Sequence, residues 1–166
     1  MLLNGSELSK KIKNELKEEI KTFPSQPGLG IILVGDKPDS KIYVRMKKRA
    51  CKFVGIQNFD INLPSDVTEE KVIEEVEKFN QNPDVHGILI QLPLPKHLNE
   101  QRILNKVSLD KDVDGFHLEN VGKLTINSKD NPLVPCTPSG IIEILNRYEI
   151  EIEGKNVVVI GRSKIV

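Results

Sequence analysis

The chain has 166 residues, of which 38% are apolar and 29% are charged, a composition typical of a soluble globular domain. Its 24 Lys and Arg residues balance its 24 Asp and Glu residues, so the zero net charge gives no overall attraction to nucleic acid or to an anionic membrane. No apolar run reaches the ~18 residues of a membrane helix, and no signal-peptide core follows Met1. We therefore expect a cytoplasmic protein with no nucleic-acid or membrane partner.

The first predicted element is an amphipathic helix. Apolar residues recur every four positions between Leu8 and Ile20, and Pro24 marks where the helix has ended. Asn4 and Glu7 have the spacing of a capping box at its start.

Helices and strands alternate along the rest of the chain. Short apolar runs or apolar alternation predict strands over residues 31–34, 59–63, 85–92 and 157–160. Helical periodicity predicts helices over residues 40–54, from a cap at Thr68 to a break at 80–83, over 103–107, and over 137–148 with Thr137 as cap. Residues 108–134 are predicted to be irregular. This alternation favours an α/β fold with a mostly parallel sheet covered on both faces.

The predicted helix over residues 40–54 carries one lysine on its apolar side. Four cations share the arc that is expected to face water: Arg45, Lys48, Arg49 and Lys52. Lys47 lies on the opposite arc, beside Ser40 and close to Tyr43. Burying an ammonium group is costly unless the group is paired or loses its proton. Lys47 therefore either extends past the edge of the core or pairs with an acid, or it is a catalytic acid and base.

Gln91 and Tyr43 are further candidates with two interpretations each. Gln91 is a polar residue near the carboxyl end of the predicted strand 85–92, just before Pro93. Ligands bind at that edge of parallel sheets, so Gln91 either contributes to a site or caps local backbone. Tyr43 either packs in the core or presents its ring to the same site.

The segment from Asp112 to His117 holds two carboxylates two residues apart, followed by Gly115. It predicts a turn with a local Asp hydrogen bond, although a metal site or a ligand clamp would use the same residues. A calcium loop would need more oxygen ligands at regular spacing. The three histidines and the two cysteines show no metal-ligand or CxxC spacing, so we assign no metal and no disulfide, and His86 is interpreted as structural.

The last predicted strand runs into Gly161, Arg162 and Ser163, which is the pattern of a phosphate-binding turn between a strand and a helix. The pattern is weak because it lacks GxGxxG.

Five motifs then occur in a fixed order: Ser40-Lys-Ile-Tyr43-Val-Arg-Met-Lys47-Lys-Arg-Ala50-Cys51, Gly87-Ile-Leu-Ile-Gln91-Leu-Pro-Leu-Pro95, Lys111-Asp-Val-Asp114-Gly-Phe116, Pro135-Cys-Thr-Pro138-Ser-Gly140 and Gly161-Arg-Ser-Lys-Ile-Val166. With them the chain resembles the bifunctional methylenetetrahydrofolate dehydrogenase/methenyltetrahydrofolate cyclohydrolase (FolD) family over residues 2–166. The resemblance implies NADP-dependent oxidation of methylenetetrahydrofolate and hydrolysis of the product to formyltetrahydrofolate, in one-carbon metabolism.

The resemblance also implies residue roles. Lys47 would be the catalytic acid and base, Gln91 would tune it, and Tyr43 would stack on the aminobenzoate of the folate. Asp114 would hold the pterin ring, and Ser40 would complete the surroundings of the lysine. The implied substrate-binding set also includes Leu92 and Pro93, and the implied cofactor-binding set is Gly161, Arg162 and Ser163. The implied cofactor is NADP, with NAD as an alternative.

The implied architecture is a three-layer, parallel-sheet catalytic domain over residues 1–136 followed by the start of a Rossmann-type NADP-binding domain. Residues 137–166 would supply only its linker helix, first strand and phosphate turn, so the resemblance implies truncation. The complete protein would be a homodimer. The alternative function is a truncated folate-site protein without dehydrogenase activity, which would act as a binding or structural module.

Overall fold

A computed structural model describes residues 2–161 and residue 163 of the chain. The described residues form these elements in chain order: α1 (Gly5–Ile20), β1 (Gly28–Val34), α2 (Pro38–Val54), β2 (Gln57–Leu63), α3 (Glu69–Gln81), β3 (Gly87–Ile90), α4 (Glu100–Leu104), a single 3₁₀ turn (Leu109–Lys111), α5 (Leu118–Thr125) and α6 (Cys136–Arg147). No helix within the described part of the chain is long and apolar enough to cross a membrane.

The three strands form a parallel sheet in the order β2-β1-β3. Ile32 in the central strand is in register with Ile61 of β2 and Ile90 of β3. Because all three strands point the same way, their carboxyl ends meet at one edge of the sheet, where ligands bind in open parallel sheets. The loop after β3 and the start of α2 therefore lie at that edge.

Successive residues of β1 face opposite layers of the domain. Ile32 and Val34 pack on one side with Val72 and Val76 of α3. Ile31 and Leu33 pack on the other side, with Val44 of α2 joining the second cluster. Since successive side chains of a strand point to opposite faces, the sheet is covered on both sides. The predicted three-layer α/β architecture is confirmed.

Two predicted helix starts are confirmed by their caps. The Asn4 side chain accepts a hydrogen bond from the Glu7 N–H at 3.2 Å, and the Thr68 hydroxyl accepts one from the Lys71 N–H at 3.3 Å. These bonds satisfy backbone donors that have no partner inside the helix. The Asn4 backbone N–H instead donates to the Tyr148 hydroxyl at 2.9 Å, which connects the start of α1 to the end of α6.

Two predicted boundaries were wrong because the capping residue lies elsewhere. The helix predicted over 103–107 begins earlier, since the Asn99 side chain accepts from the Arg102 N–H at 3.1 Å. The last helix begins at Cys136 rather than after a Thr137 cap, because the Pro135 carbonyl already accepts from the Ser139 N–H at 3.2 Å.

The prediction that residues 108–134 are irregular was also wrong in part. This stretch contains the 3₁₀ turn and α5. The His117 ring nitrogen accepts from the Glu119 N–H at 3.1 Å at the start of α5, and Glu119 pairs with Lys123 one turn later. The apolar spacing of Leu118, Val121 and Leu124 was a usable signal that the sequence analysis missed.

The strand predicted over residues 157–160 is not formed. Residues 157–161 have no regular secondary structure, and the side chain of Ile160 is 96% exposed. A strand is stabilised by ladder hydrogen bonds to a neighbour, and no strand among the described residues pairs with this segment. The apolar run alone was therefore an insufficient predictor.

Candidate active site

Helix α2 presents Lys47 at the edge of the core. The buried side of the helix carries Ser40, Val44, Cys51 and Val54, and Lys47 lies on the same side with a half-buried side chain. Its ammonium nitrogen Nζ donates a hydrogen bond to Gln91 Oε1 at 3.3 Å. The unusual placement that the sequence predicted for Lys47 is thus present, and its partner is an uncharged amide.

Gln91 directly follows β3 and its amide is held in one orientation. Its backbone N–H donates to the Ile32 carbonyl at 2.9 Å, which fixes the residue against β1. Its side-chain Nε2 donates to the Leu92 carbonyl at 2.7 Å. Because Nε2 is engaged there, the amide oxygen is the atom that faces Lys47.

A tight turn carries Asp114 to the same place. Gly115 has φ +66°, a left-handed conformation that favours glycine, and a Cβ atom on it would lie 2.5 Å from the Leu133 carbonyl oxygen. This close approach brings Pro135 and Cys136, at the start of α6, beside Asp114. The Cys136 Sγ lies 3.8 Å from Asp114 Oδ1 and 3.6 Å from the Val113 carbonyl.

The electrostatics of Asp114 reflect its position. Burial raises the pKa of the Asp114 carboxyl, and the nearby charge of Asp112 raises this pKa further. The Lys47 charge and the hydrogen bond from Cys136 oppose this rise, and the net shift of the Asp114 pKa is upward. Burial, followed by the charge of Asp114, raises the pKa of the Cys136 thiol. The site therefore holds a carboxylate whose charge is disfavoured by its surroundings.

These groups line one cleft, which we call the Lys47 cleft. It has a volume of about 440 Å³. Its lining residues come from four separate segments of the chain: Tyr43, Lys47, Ile90, Gln91, Leu92, Asp114, Phe116, Pro135, Cys136 and Thr137. The residue Tyr43 is 59% exposed. An aromatic and apolar wall with a few convergent polar groups suits a flat, partly polar ligand.

Several predicted site residues lie outside this cleft. Ser40 is buried, with 5% exposure, and no hydrogen bond joins it to Lys47. Pro93, Gly161 and Ser163 are not among the lining residues. Arg162 lies outside the described residues. Cys136 and Phe116 also line the cleft, although the sequence predicted no role for either residue.

No group of three His, Cys, Asp or Glu side chains in the described ranges is arranged to hold a metal ion. His86 accepts a hydrogen bond from the Gly28 N–H at 3.0 Å through Nδ1, which agrees with its structural interpretation.

A larger groove, of about 810 Å³, lies along the other side of α2, and we call it the basic groove. Its cationic lining residues are Lys41, Arg45, Lys48, Arg49 and Lys52. Two of these cations pair with acids, Lys41 with Asp36 at 2.6 Å and Lys48 with Asp60. The basic groove contains none of the residues that converge on Lys47, so we assign the chemistry to the smaller Lys47 cleft.

Comparison with known proteins agrees with this geometry. Residues 3–114 match the model of the tetrahydrofolate dehydrogenase/cyclohydrolase catalytic domain, and residues 135–166 match the model of the NAD(P)-binding domain of the same enzymes. Among solved structures, the bifunctional FolD enzyme of Campylobacter jejuni superposes with a TM-score of 0.95 at 43% identity, over 100% of this chain and 60% of that one. The Trypanosoma brucei enzyme, solved with NADP and an inhibitor, superposes with a TM-score of 0.92 at 39% identity, over 99% of this chain and 57% of that one.

Curated relatives are similarly close in sequence. The chloroplastic bifunctional protein FolD 4 of Arabidopsis thaliana is 52% identical over 100% of this chain and 47% of its own length. The bifunctional protein FolD of Chlamydia pneumoniae is 49% identical over 100% of this chain and 58% of its own length. The chain thus spans about half of the length of these relatives. On the match over residues 3–114, it belongs to the tetrahydrofolate dehydrogenase/cyclohydrolase family.

Proposed function

We propose that the protein acts in one-carbon folate metabolism. In the proposed reactions, methylenetetrahydrofolate is oxidised to methenyltetrahydrofolate with NADP, and the product is hydrolysed to formyltetrahydrofolate. The observation that carries the proposal is the 3.3 Å contact between Lys47 Nζ and Gln91 Oε1, within a cleft that Asp114 also lines. The family match supports both activities.

The Lys47 cleft fits a folate in shape and polarity. The exposed ring of Tyr43 offers a flat face for the aminobenzoate, since aromatic rings prefer to stack. The Asp114 carboxylate can accept the adjacent N–H groups of the pterin, because a carboxylate binds two parallel donors well. Binding such donors would also offset the burial that raises the pKa of Asp114.

Lys47 supplies proton transfer for the hydrolytic step. Water adds to the electrophilic bridging carbon of the methenyl cation, and the Lys47 side chain accepts the proton that this water loses. The resulting ammonium then protonates the ring nitrogen as its bond to the bridging carbon breaks. The new hydroxyl releases its proton to water and becomes the formyl carbonyl. The net products are formyltetrahydrofolate and one proton.

The oxidative step would use NADP as the hydride acceptor. The match to the NAD(P)-binding domain model and the NADP complex of the Trypanosoma brucei relative support this cofactor. Residues 157–161 have no regular secondary structure, and Arg162 lies outside the described residues. The phosphate-binding role of Gly161, Arg162 and Ser163 therefore stays a prediction.

A binding assay and a turnover assay test the proposal. Calorimetric titration of the chain with a stable tetrahydrofolate analogue is expected to show one site per chain. Methenyltetrahydrofolate is then expected to hydrolyse at least about 100-fold faster with the chain than in buffer, the lower range for general acid–base catalysis. Binding without hydrolysis would favour the alternative of a folate-binding module. The absence of both binding and hydrolysis would refute the proposal.

Finer expectations from the resemblance also remain proposals. These are the domain boundary after residue 136, a homodimer, and a cytoplasmic location. The homodimer is proposed for the complete protein. Light scattering coupled to size-exclusion chromatography of that protein checks it, with twice its monomer mass as the expected result.

A further inference from the structure

The turn that holds Asp114 in the Lys47 cleft is itself organised by a buried carboxylate that does not line the cleft. Asp112 is 3% exposed and Asn120, in α5, is 4% exposed. Asp112 also forms an isolated parallel bridge with Ile88 of β3, so its backbone is fixed against the sheet. The backbone of Asp112 is thus held against the sheet, directly before the turn that carries Asp114.

Three N–H groups converge on this carboxylate. The Phe116 backbone N–H donates to Oδ1 at 3.2 Å, and the His117 backbone N–H donates to Oδ2 at 3.0 Å. The Asn120 side chain donates to Oδ2 through Nδ2 at 2.8 Å. All three partners are donors, so the position needs a side chain that only accepts. A carboxylate meets this need, whereas an amide would turn an NH₂ group towards at least one donor.

We propose that Asp112, together with Asn120, is a positioning residue for the substrate site. Its hydrogen bonds hold the turn over residues 113–117, and the turn carries Asp114 and Phe116 into the Lys47 cleft. This inference rests on the proposed function, because it assigns Asp112 a role in folate binding.

The electrostatics of Asp114 explain why the turn over residues 113–117 must be held in place. Burial disfavours the charge of Asp114 and raises its pKa, as does the charge of Asp112 itself. An unrestrained turn would relieve this by moving Asp114 into water, since solvation favours an ionised carboxylate. The bonds to Asp112 oppose that movement, so they keep a carboxylate where a ligand can use it.

The test compares Asp112→Asn with Asp110→Asn in the 166-residue chain. Both substitutions remove one negative charge, but Asp110 is exposed, and its side chain does not bind the Asp112 turn. At a temperature where both variants are folded, Asp112→Asn is expected to weaken binding of the tetrahydrofolate analogue by about tenfold or more, the effect of losing one charged hydrogen bond. Asp110→Asn is expected to change it by less than about twofold, as is usual for surface positions.

Amide hydrogen exchange supplies a readout that does not depend on folate. In Asp112→Asn, exchange is expected to accelerate about tenfold or more at the Phe116 and His117 amides, and much less at Ile31 in β1. Equal acceleration at Ile31 would show a general loss of stability and would overturn the positioning role. Unchanged exchange at Phe116 and His117, or analogue affinity equal to that of the wild type, would also overturn it.

Failure of the proposed function has a different signature. In one outcome, the wild-type chain binds no analogue, but the Phe116 and His117 amides still lose protection selectively in Asp112→Asn. The hydrogen bonds of Asp112 then hold the turn, but the folate assignment is wrong, and this overturns the substrate role proposed for Asp112. If Asp112→Asn does not fold, Asn120→Ala replaces it, because this variant removes one bond of the three. It is then expected to show the same selective exchange and weaker binding, and their absence would overturn the proposal.

Discussion

Both sides of α2 carry cationic side chains, but these differ in their burial and in their partners. On one side, five cations line the basic groove, and two of them are paired with carboxylates at the surface. On the other side, Lys47 is half-buried and its hydrogen-bond partner is the amide of Gln91. Exposed ion pairs contribute little to the stability of the fold because water screens them. We propose that the Lys47 amine, which is hydrogen-bonded to a neutral amide at the edge of the cleft, transfers protons during catalysis.

We propose that location on the helix, rather than residue type or cavity size, distinguishes the functional Lys47 from the solvated lysines. The basic groove is the larger of the two, yet Gln91, Asp114 and Tyr43 all converge on the smaller Lys47 cleft. Substitutions on one side of the helix, or in the turn that carries Asp114, test this difference.

The largest effect is expected for Lys47→Met. Removing the amine is expected to lower the rate of methenyltetrahydrofolate hydrolysis by about 10²- to 10⁴-fold, the usual contribution of a general acid and base. Lys52→Met, on the basic-groove side, is the matched control and is expected to keep the wild-type rate. Equal losses in both variants, measured by the absorbance of the methenyl substrate, would remove the distinction between the two sides.

A smaller effect is expected for Gly115→Ala. The left-handed φ of +66° and the 2.5 Å approach to the Leu133 carbonyl both oppose a Cβ atom. The free energy of unfolding is expected to fall by about 1–3 kcal/mol, the range for strained backbone positions. Gly122→Ala is the control, since no atom lies within 4 Å of the added carbon in α5, and alanine should stabilise that helix. Urea unfolding checks both, and a stable Gly115→Ala variant would contradict the packing of this turn.

Asp114→Asn is expected to weaken binding of the tetrahydrofolate analogue without lowering the stability of the fold. Affinity for the tetrahydrofolate analogue should fall about tenfold, because the amide accepts fewer of the pterin donors. The melting temperature at neutral pH should stay equal or rise. Burial raises the folded-state pKa of Asp114 above its unfolded value, so the contribution of this group to stability is present below the unfolded pKa and is lost as pH rises through the folded pKa.

The raised pKa of Asp114 also predicts how the stability of the two proteins depends on pH. The stability advantage of Asp114→Asn over the wild type should be smallest in acid and should grow as pH rises through the titration of Asp114. Thermal melts across this range check it, with Asp110→Asn as the control. An advantage that shrinks as pH rises would contradict the position of Asp114 in the cleft.

The smallest effect is expected for Lys48→Met. Lys48 pairs with Asp60, but its side chain remains 43% exposed. Breaking a pair of this kind is expected to change the free energy of unfolding by no more than about 1 kcal/mol, with no change in analogue affinity. A loss of affinity would assign a binding role to the basic groove.

Much of the fold follows from periodicity in the sequence. The apolar alternation and the caps at Asn4 and Thr68 predicted α1, β1, α2, β2 and α3 because local pattern and burial agree there. The prediction of a strand over residues 157–160 was wrong, because a strand needs a neighbouring strand to pair with and a local sequence pattern does not report one. Helix α5 was missed although the apolar spacing of Leu118, Val121 and Leu124 indicates it, because histidine is an unusual cap residue.

The candidate site was only partly predictable. Helical projection placed Lys47 on the inner side of α2, and strand direction placed Gln91 at the carboxyl edge of the sheet. The approach of Cys136 to Asp114 depends on the chain folding back over Gly115, which is a contact between residues distant in sequence. The spacing of Asp112 to His117 predicted a turn with a local Asp hydrogen bond, and the Asp112 carboxylate accepts two such bonds. The third bond, from Asn120 in α5, was not predicted because α5 itself was not.

The central claim is that the Lys47 cleft, rather than the basic groove, binds the folate. Backbone amide chemical shifts of the chain, recorded during titration with a tetrahydrofolate analogue, test it most directly. The account predicts saturable shifts at Tyr43, Gln91 and Asp114, with the amides of Asn58 and Asn62 in the basic groove unchanged. Shifts confined to Asn58, Asn62 and their neighbours in the basic groove, or no saturable shift at Gln91 and Asp114, would contradict it.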